Sequence, residues 1–523
     1  MLRTQLFQDL PITVIRSDAS CAHITDLTED SRTVMPGSLF IARTGLKSDG
    51  LDFVQAAIDS GAAAVLIENT ADQSRIPDGP LLAICDDVRM MTAILAERIF
   101  GNPSDHLLIA GVTGTNGKST IAHLVHGLLN RCGVRTGVIG TVGVDDGAEY
   151  APSPMTTPPA IELSRTLATM RDAGCRACVM EVSSHALDQH RAGAINFDAA
   201  VFTNLSGDHS DYHPTAEHYL QSKQRLLAMV SQTGLAVLNA DDSVVAAAAI
   251  PEARTHLCAL DPNCAHDADW IIERTHSSTN GETLCIKLGP RTINAAVPLF
   301  GPFNAMNILQ AVAVAWELLG RAGFDENDRQ TKIQSALSLA TSPTGRLEPV
   351  HGPHDDVSVF VDFAHTDDAL DRALAAVRTA SDTSTQLTAV FGCGGDRDHS
   401  KRPRMGAAAA AHADRIIVTS DNPRSEPPDE IVSAILEGIP GRARSRVTVH
   451  IDRERAIREA IASAAPGGAI VIAGKGHETD QITADENGRP VTRRFVDQNI
   501  AREALRDRRT HNSTIQESRG AQA

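Results

Sequence analysis

Aromatic side chains are scarce, at 3% of 523 residues, so aliphatic side chains and Ala must fill most of any core. Excess positive charge is also missing. The formal net charge of −17 excludes a general binder of nucleic acid or anionic membrane, and anionic small substrates would need local basic pockets. No apolar run approaches the length that spans a bilayer, and the charged N-terminus, with Arg3, Asp9 and Arg16, lacks the apolar core of a signal peptide. There is no disulfide framework either. Nine Cys are scattered singly, and the one C-x-x-C spacing, Cys175 and Cys178, has no second pair to complete a zinc site and reads as structural. An odd count without a framework suits a reducing cytoplasm, so a soluble cytoplasmic protein is expected.

What is present is length and an alternating rhythm. About three domains are expected, because one core cannot serve so long a chain. Turn-forming runs mark two joints, GNPSDH at 101–106 and TSPTGR at 341–346, the second after a helical segment through Ile308 to Leu339. The expected ranges are 1–103, 104–342 and 343–507, followed by a polar, disordered tail at 508–523. Apolar β-type runs (CVMEVSS, AAVFTNLS, LAVLNADD) alternate with helical patterns, the mark of an α/β protein with parallel sheets. The rhythm returns in VSVFVDFAH, LTAVFGCGG, RIIVTSDN and AIVIAGKG, whose polar ends fall where α/β ligand sites lie. The first hundred residues, with SLFIAR and AAVLIE, form a smaller α/β unit.

The sharpest signal is GVTGTNGKST, Gly111 to Thr120, after the apolar LLIAGV. Ile121, Leu124, Val125, Leu128 and Leu129 place one apolar face on the helix that follows. Glycines let backbone N–H groups curl around a phosphate and the helix N-terminus adds positive potential. Lys118 can then reach the β- and γ-phosphates and the Ser119 hydroxyl can ligate Mg²⁺. Val112 stands where the strict pattern has its first Gly, so an ordinary strand-to-helix turn is the bland alternative. The order of strand, loop, Lys-Ser and amphipathic helix favours a nucleoside triphosphate.

Other clusters are weaker alone. Glu181 ends an apolar strand after that loop, where a Mg²⁺ carboxylate is expected. In FTNLSGDHSDYH, Phe202 to His213, His209 could be a metal ligand or part of a self-bonded polar loop. Lys223, on a helix, is by itself an ordinary charge. Arg397, Lys401, Arg402 and Arg404 crowd the Gly-rich turn GCGGDRDHSKRPRMG, which suits carboxylate or phosphate groups but also a solvated turn. DNPR, Asp421 to Arg424, offers an ammonium partner and a bidentate carboxylate partner, though alone it is a plain Asn-Pro turn.

Taken in order along nearly the whole chain, these segments resemble the Mur ligase family of ATP-dependent amide ligases. TEDSRTVMPGSLFIARTGLKSDG resembles its uridine-nucleotide domain. GVTGTNGKST, EVSSHALDQHR and FTNLSGDHSDYH resemble its ATP domain, and GPFNAMNILQA, PTGRLE, VDFAHTDDAL, FGCGGDRDHSKRP, DNPR and AGKGHE complete the series. The resemblance implies a three-domain architecture with a central phosphate-loop ATPase domain and a Rossmann-like C-terminal domain. It implies that Ser31, Leu46, Lys47 and Ser48 hold the UDP end of a UDP-muramoyl-dipeptide, and that Thr156, Thr157, Ser183, Gln189 and Arg191 contact its peptide. ATP would be held by Gly114, Thr115, Asn116, Gly117, Lys118 and Ser119, with Asn304, Asn307, Arg346, Asp362 and His365. Ser119, Glu181, His209 and a carbamylated Lys223 would serve Mg²⁺, and Lys118, Glu181, His209 and Lys223 would form the catalytic set. Arg397, Asp421, Asn422, Pro423, Arg424, Gly474 and Glu478 match an acceptor pocket for meso-diaminopimelate, with Arg424 on the far carboxylate that lysine lacks.

The implied reaction joins that amino acid to the D-glutamate of UDP-N-acetylmuramoyl-L-alanyl-D-glutamate through an acyl phosphate, in cytoplasmic peptidoglycan precursor synthesis, by a monomer. Four positions depart from the family pattern: Met155 for Asn, Phe363 for Tyr, Ser400 for Gly and Val496 for Asp. Met155 weakens one expected substrate contact. The alternatives are lysine or another diamino acid as acceptor, and a nucleotide-gated binding protein without synthesis. The folylpolyglutamate synthetases share the phosphate loop but fit DSRTVMPG and DNPR poorly.

Overall fold

The computed structural model describes residues 1–17, 22–45, 48–206, 212–251, 253–261, 263–264, 268–485 and 489–520. Two compact units emerge. One comprises Met1–Ile272, Ile286–Ile293 and Met306–Ala336; the other comprises Glu273–Cys285, Asn294–Ala305 and Leu337–Ala523.

The first unit opens with β1 (Thr13–Arg16), β2 (Leu27–Thr28), β3 (Leu39–Ile41), β4 (Ala64–Glu68) and β5 (Leu81–Cys85), in the order β1-β5-β4-β3-β2. Its core is aliphatic, around Leu39, Ile41, Leu66, Leu81 and Leu95, as the aromatic shortage requires. The next sheet runs through β6 (Leu108–Thr113), β7 (Thr136–Ile139), β8 (Val144–Asp145), β9 (Tyr150–Ala151), β10 (Ala177–Glu181), β11 (Phe197–Phe202), β12 (Val230–Asn239) and β13 (Arg254–Ala259). It continues into β14 (Trp270–Ser278), β15 (Gly281–Leu288) and β16 (Arg291–Val297). β6 is flanked by β10 and β11, both parallel to it, so the chain leaves β6 in one direction and later returns to its other side. Loops at the carboxyl ends of such strands diverge and leave a crevice. β8 and β9 pair antiparallel beyond β7.

The helix Lys118–Arg131 buries Ile121, Leu124, Val125, Leu128 and Leu129, the predicted face. The helical segment expected through Ile308 to Leu339 is two helices, Pro302–Arg321 and Glu326–Leu337. Gly323 breaks it at φ +96°, and the Asp325 carboxylate caps the second through the Asn327 and Asp328 amides.

The second unit contains β17 (Glu348–Pro349), β18 (Ser358–Asp362), β19 (Leu387–Phe391), β20 (Arg415–Val418), β21 (Val447–Val449) and β22 (Ala469–Ala473). The order is β17-β18-β22-β19-β20-β21, parallel except for β17. A hairpin of β23 (Asp480–Ala484) and β24 (Pro490–Arg494) follows. The tail expected to be disordered from residue 508 instead continues the helix Asp497–Gly520. Composition misses its anchors: Arg508 pairs with Asp356 at 2.7 and 2.8 Å and donates to the Ile461 carbonyl, while Arg509 pairs with Asp355.

That helix begins at a fully buried ion pair. Arg453 grips Asp497 bidentately at 2.8 and 2.6 Å, both side chains fully buried, and donates to the Ser420 and Ala473 carbonyls. Removing only the cation would strand a carboxylate in the core. Arg453→Met should therefore destabilise the protein by about 3–5 kcal/mol, and Arg453→Met with Asp497→Leu should recover much of that, both read from urea unfolding.

His123, on the helix Lys118–Arg131, supplies a pH test. Burial first, then His126 and Arg131, hold its pKa down from 6.5 to about 4. A folded value below the unfolded one means full stabilisation above about pH 6.5, lost as pH falls toward 4. His123→Gln should flatten that part of the acid limb in urea midpoints taken between pH 7 and 4.5.

Candidate functional site

β6 runs into the phosphate-loop residues, which lead to the helix Lys118–Arg131. Gly114 at φ +140° and Gly117 at φ +87° occupy backbone regions that disfavour a side chain. Both also lack room for one: a Cβ at Gly114 would collide with Thr203 Oγ1, and one at Gly117 would lie 2.5 Å from Asn307 Oδ1. The end of β11 props the loop. Thr203 Oγ1 donates to the Asn116 carbonyl at 2.5 Å, Asn204 Oδ1 accepts from the Asn116 amide, and the Thr115 amide donates to the Asn204 carbonyl. Neither Thr203 nor Asn204 was singled out by sequence, because both act on a loop almost ninety positions away.

Lys118 Nζ donates to the Gly114 and Thr115 carbonyls at 2.9 and 2.8 Å. Lys223, 1% exposed, also donates to the Gly114 carbonyl at 2.9 Å and lies 4.5 Å from the Tyr219 ring centroid. Sequence spacing treats Lys223 as an ordinary charge; the fold brings it onto the phosphate loop, so two ammonium groups share one carbonyl oxygen.

Glu181, 2% exposed at the end of β10, accepts from Ser119 Oγ at 3.0 Å and from the Thr141 amide at 2.7 Å. The Ser119 hydroxyl and the Glu181 carboxylate are hard oxygen donors at the loop, a pairing that fits Mg²⁺. Among the described residues no three His, Cys, Asp or Glu converge as a metal cluster. His209, another expected ligand, lies outside the described residues, as do Leu46 and Lys47. All eight described cysteines are free thiols, Cys175 and Cys178 among the buried ones.

The expected peptide-contacting residues form a connected network. Thr157 Oγ1 donates to the Glu181 carbonyl and accepts from the Ser183 amide. Arg191 donates to the Thr157 carbonyl and to Gln189 Oε1, and Gln189 donates to Tyr212. Burial, followed by Arg43, lowers the Arg191 pKa. Thr156 Oγ1 lies 2.9 Å from Thr141 Oγ1, which joins it to Glu181 through Thr141. Ser31 starts a short 3-10 turn capped by Asp30, and Ser48, exposed, accepts the Gly45 amide through its carbonyl.

In the second unit Asn304 donates to the Phe300 carbonyl. Asp362, ending β18, accepts from the Leu347 and Ala364 amides, and desolvation raises its pKa while Arg346 opposes the rise. Phe363, where the family has Tyr, is the centre of a cluster: Arg346 sits 4.7 Å over its ring, with His365 and His477 at 4.5 and 4.9 Å.

The expected acceptor residues converge at the ends of β19, β20 and β22. Gly395 meets the Pro423 carbonyl and Gly474 meets the Asp421 carboxylate so closely that a Cβ at either would clash. Arg424, with φ +53°, donates from Nη1 to the Gly395 carbonyl at 2.7 Å. A Cβ on Gly394 would lie 3.0 Å from Arg424 Nη1 and 3.8 Å from Arg397 Cγ, so both arginines flank one glycine. Asp421 is buried, and desolvation raises its pKa against the opposing Arg453 and Lys475. Asn422 Nδ2 donates to Glu478 Oε2 at 2.7 Å. Not every cation of the Gly-rich turn faces a ligand: Arg402 is buried on Glu426, and Arg404 pairs with Asp367. Lys475 is fully buried between Asn422 and Glu478, and nothing local in AGKGHE marks it as buried.

Family models match three stretches: the Mur ligase family catalytic domain over 23–97, the Mur ligase middle domain over 112–315, and the Mur ligase glutamate ligase domain over 345–476. The chain is 41% identical over 493 residues to a Chlorobium phaeobacteroides protein named UDP-N-acetylmuramoyl-L-alanyl-D-glutamate--2,6-diaminopimelate ligase, covering 92% of each. It is 41% identical over 490 residues to a Streptomyces coelicolor protein of the same name, covering 93% of each. A solved structure of a ligase of that name matches with TM-score 0.69 at 31% identity, over 97% of this chain and 99% of the other. The Thermotoga maritima MurF ligase in complex with ADP shares the fold, with TM-score 0.59 at 15% identity over 95% and 100%. The chain belongs to the Mur ligase family.

Proposed function

We propose that the chain is an ATP-dependent ligase that joins meso-diaminopimelate to the D-glutamate of UDP-N-acetylmuramoyl-L-alanyl-D-glutamate, releasing ADP and phosphate. The observation that carries the choice of acceptor is the pairing of Arg424 and Arg397 across Gly394, beside the buried Asp421. A fork-shaped guanidinium recognises a carboxylate bidentately, and diaminopimelate has a second carboxylate where lysine has none. The names of the full-length relatives support the same reading.

In this reading the glutamate carboxylate attacks the γ-phosphate of ATP to give an acyl phosphate and ADP. Lys118 exchanges its loop carbonyls for phosphate oxygens and neutralises the transferring group. The acceptor amine then attacks the acyl carbon and phosphate leaves. Positioning and electrostatics supply most of the acceleration. Mg²⁺ would be held by Ser119 and Glu181, with His209 and a carbamylated Lys223 completing its surroundings, and would offset charge on the phosphates. Carbamylation would also relieve the sharing of one carbonyl by two ammonium groups. Asn307, against Gly117, would also serve ATP, and the family resemblance assigns ATP to Asn304, Arg346, Asp362 and His365 as well. Ser31, Leu46, Lys47 and Ser48 would take the uridine nucleotide, and Thr156, Thr157, Ser183, Gln189 and Arg191 the muramoyl-dipeptide.

The same proposal takes the chain as a cytoplasmic monomer in three domains, 1–103, 104–342 and 343–507, serving peptidoglycan synthesis. Among the described residues no helix is long and apolar enough to cross a membrane.

Phosphate release with Mg-ATP and the UDP-dipeptide should be strong with meso-diaminopimelate and weak with L-lysine. Arg424→Ala should cut kcat/KM for diaminopimelate on the order of a thousandfold while hardly moving the lysine rate. Preference for lysine would overturn the pocket assignment, and no turnover with either would favour a nucleotide-gated binding protein. Lys118→Ala should reduce phosphate release to background with an unchanged circular dichroism spectrum; wild-type rates in that variant would remove the phosphate-loop assignment.

A further inference from the structure

Lys475 carries a buried ammonium that no step of the reaction uses. Its side chain is fully buried, just beyond β22. An ammonium has three N–H donors, and all three are engaged: with Glu478 Oε2 at 3.1 Å, Asn422 Oδ1 at 3.4 Å and the Asp480 carbonyl at 2.5 Å. Nothing remains on Lys475 for a ligand, so any part it plays is exerted through its partners.

Those partners converge on Glu478. Its Oε2 takes both the Lys475 ammonium and Asn422 Nδ2, while its Oε1 accepts no bond among the described residues, and the side chain is 36% exposed. Asn422 is itself pinned, because its Oδ1 also accepts the Ile482 amide of β23 at 2.9 Å. One oxygen of the carboxylate is thus locked from behind by a buried cation and an amide, and the other is turned outward. A carboxylate held in this way is a preset anion for an ammonium group.

We infer that Lys475, bracketed by Asn422, is a positioning residue that fixes Glu478 for an ammonium of the amino-acid acceptor and so contributes to acceptor selection. The inference rests on the acceptor reading under Proposed function.

The test uses the full-length protein, phosphate release, and a double-mutant cycle. Lys475→Met should raise KM for meso-diaminopimelate about tenfold or more and leave KM for ATP and the UDP-dipeptide within about twofold. Glu478→Gln should show the same selectivity. Because Lys475 acts through Glu478, the double variant should stay within about threefold of Glu478→Gln alone, whereas independent effects would multiply. Multiplied effects, an equal rise in all three KM values, or an unmoved acceptor KM would each overturn the inference. If Lys475→Met is insoluble, Asn422→Leu strips the other donor from Oε2 and should raise the acceptor KM in the same selective way; no rise there would also overturn it. Wild-type protein inactive with meso-diaminopimelate would instead overturn the proposed function, before any variant is compared.

Discussion

The side chain of Thr203 fills the space over Gly114, and much of the first unit's chemistry depends on that contact. With no Cβ at residue 114, the end of β11 can lie against the phosphate loop and bond it from Asn116 and Thr115. A bulkier loop would push the strand end away and leave those backbone groups to water. The same closeness lets Lys223 place its ammonium on the Gly114 carbonyl. The second unit repeats the device, with Gly395 against Pro423 and Gly474 against Asp421. Parallel strands deliver their loops to one edge; glycine lets neighbouring loops touch there.

What could be read directly from the sequence was what local pattern encodes. The phosphate loop, the apolar face of its helix, the strands ending in Glu181 and Asp362 and the strand just before Asp421 all follow from nearby residues. What escaped depends on partners far along the chain. Arg453 meets Asp497 across 44 positions, and nothing local marks either as buried. Val496 stands where the family pattern has an acid, and the neighbouring Asp497 supplies the carboxylate that the core uses. Arg402 and Arg404 looked like ligand-binding cations because composition cannot show that Glu426 and Asp367 already occupy them. The terminal helix escapes a sequence reading for the same reason, since its Arg509 and Arg508 are ion-paired to Asp355 and Asp356.

The charge balance also takes on a structural meaning. An acidic chain that binds anionic substrates must keep cations where its own acids do not neutralise them. Several arginines are used as internal struts, tied to carbonyls and single carboxylates: Arg453, Arg402 and Arg508. Near the strand ends a different set stands: Lys118 and Arg424 donate to backbone carbonyls, and Arg397 stays exposed. Backbone carbonyls can be exchanged for phosphate or carboxylate oxygens at little loss, whereas a buried carboxylate partner cannot.

Arg424 adopts a left-handed backbone that Gly or Asn would accept far more easily. For a long side chain that conformation costs about 1–2 kcal/mol, so the chain is held below its attainable stability at the residue assigned to grip the acceptor. Selection for thermal endurance alone would pull this position toward Gly or Asn and discard the guanidinium. A heat-hardened lineage that kept Arg here would reveal that the pull of the substrate had outweighed the pull of the fold.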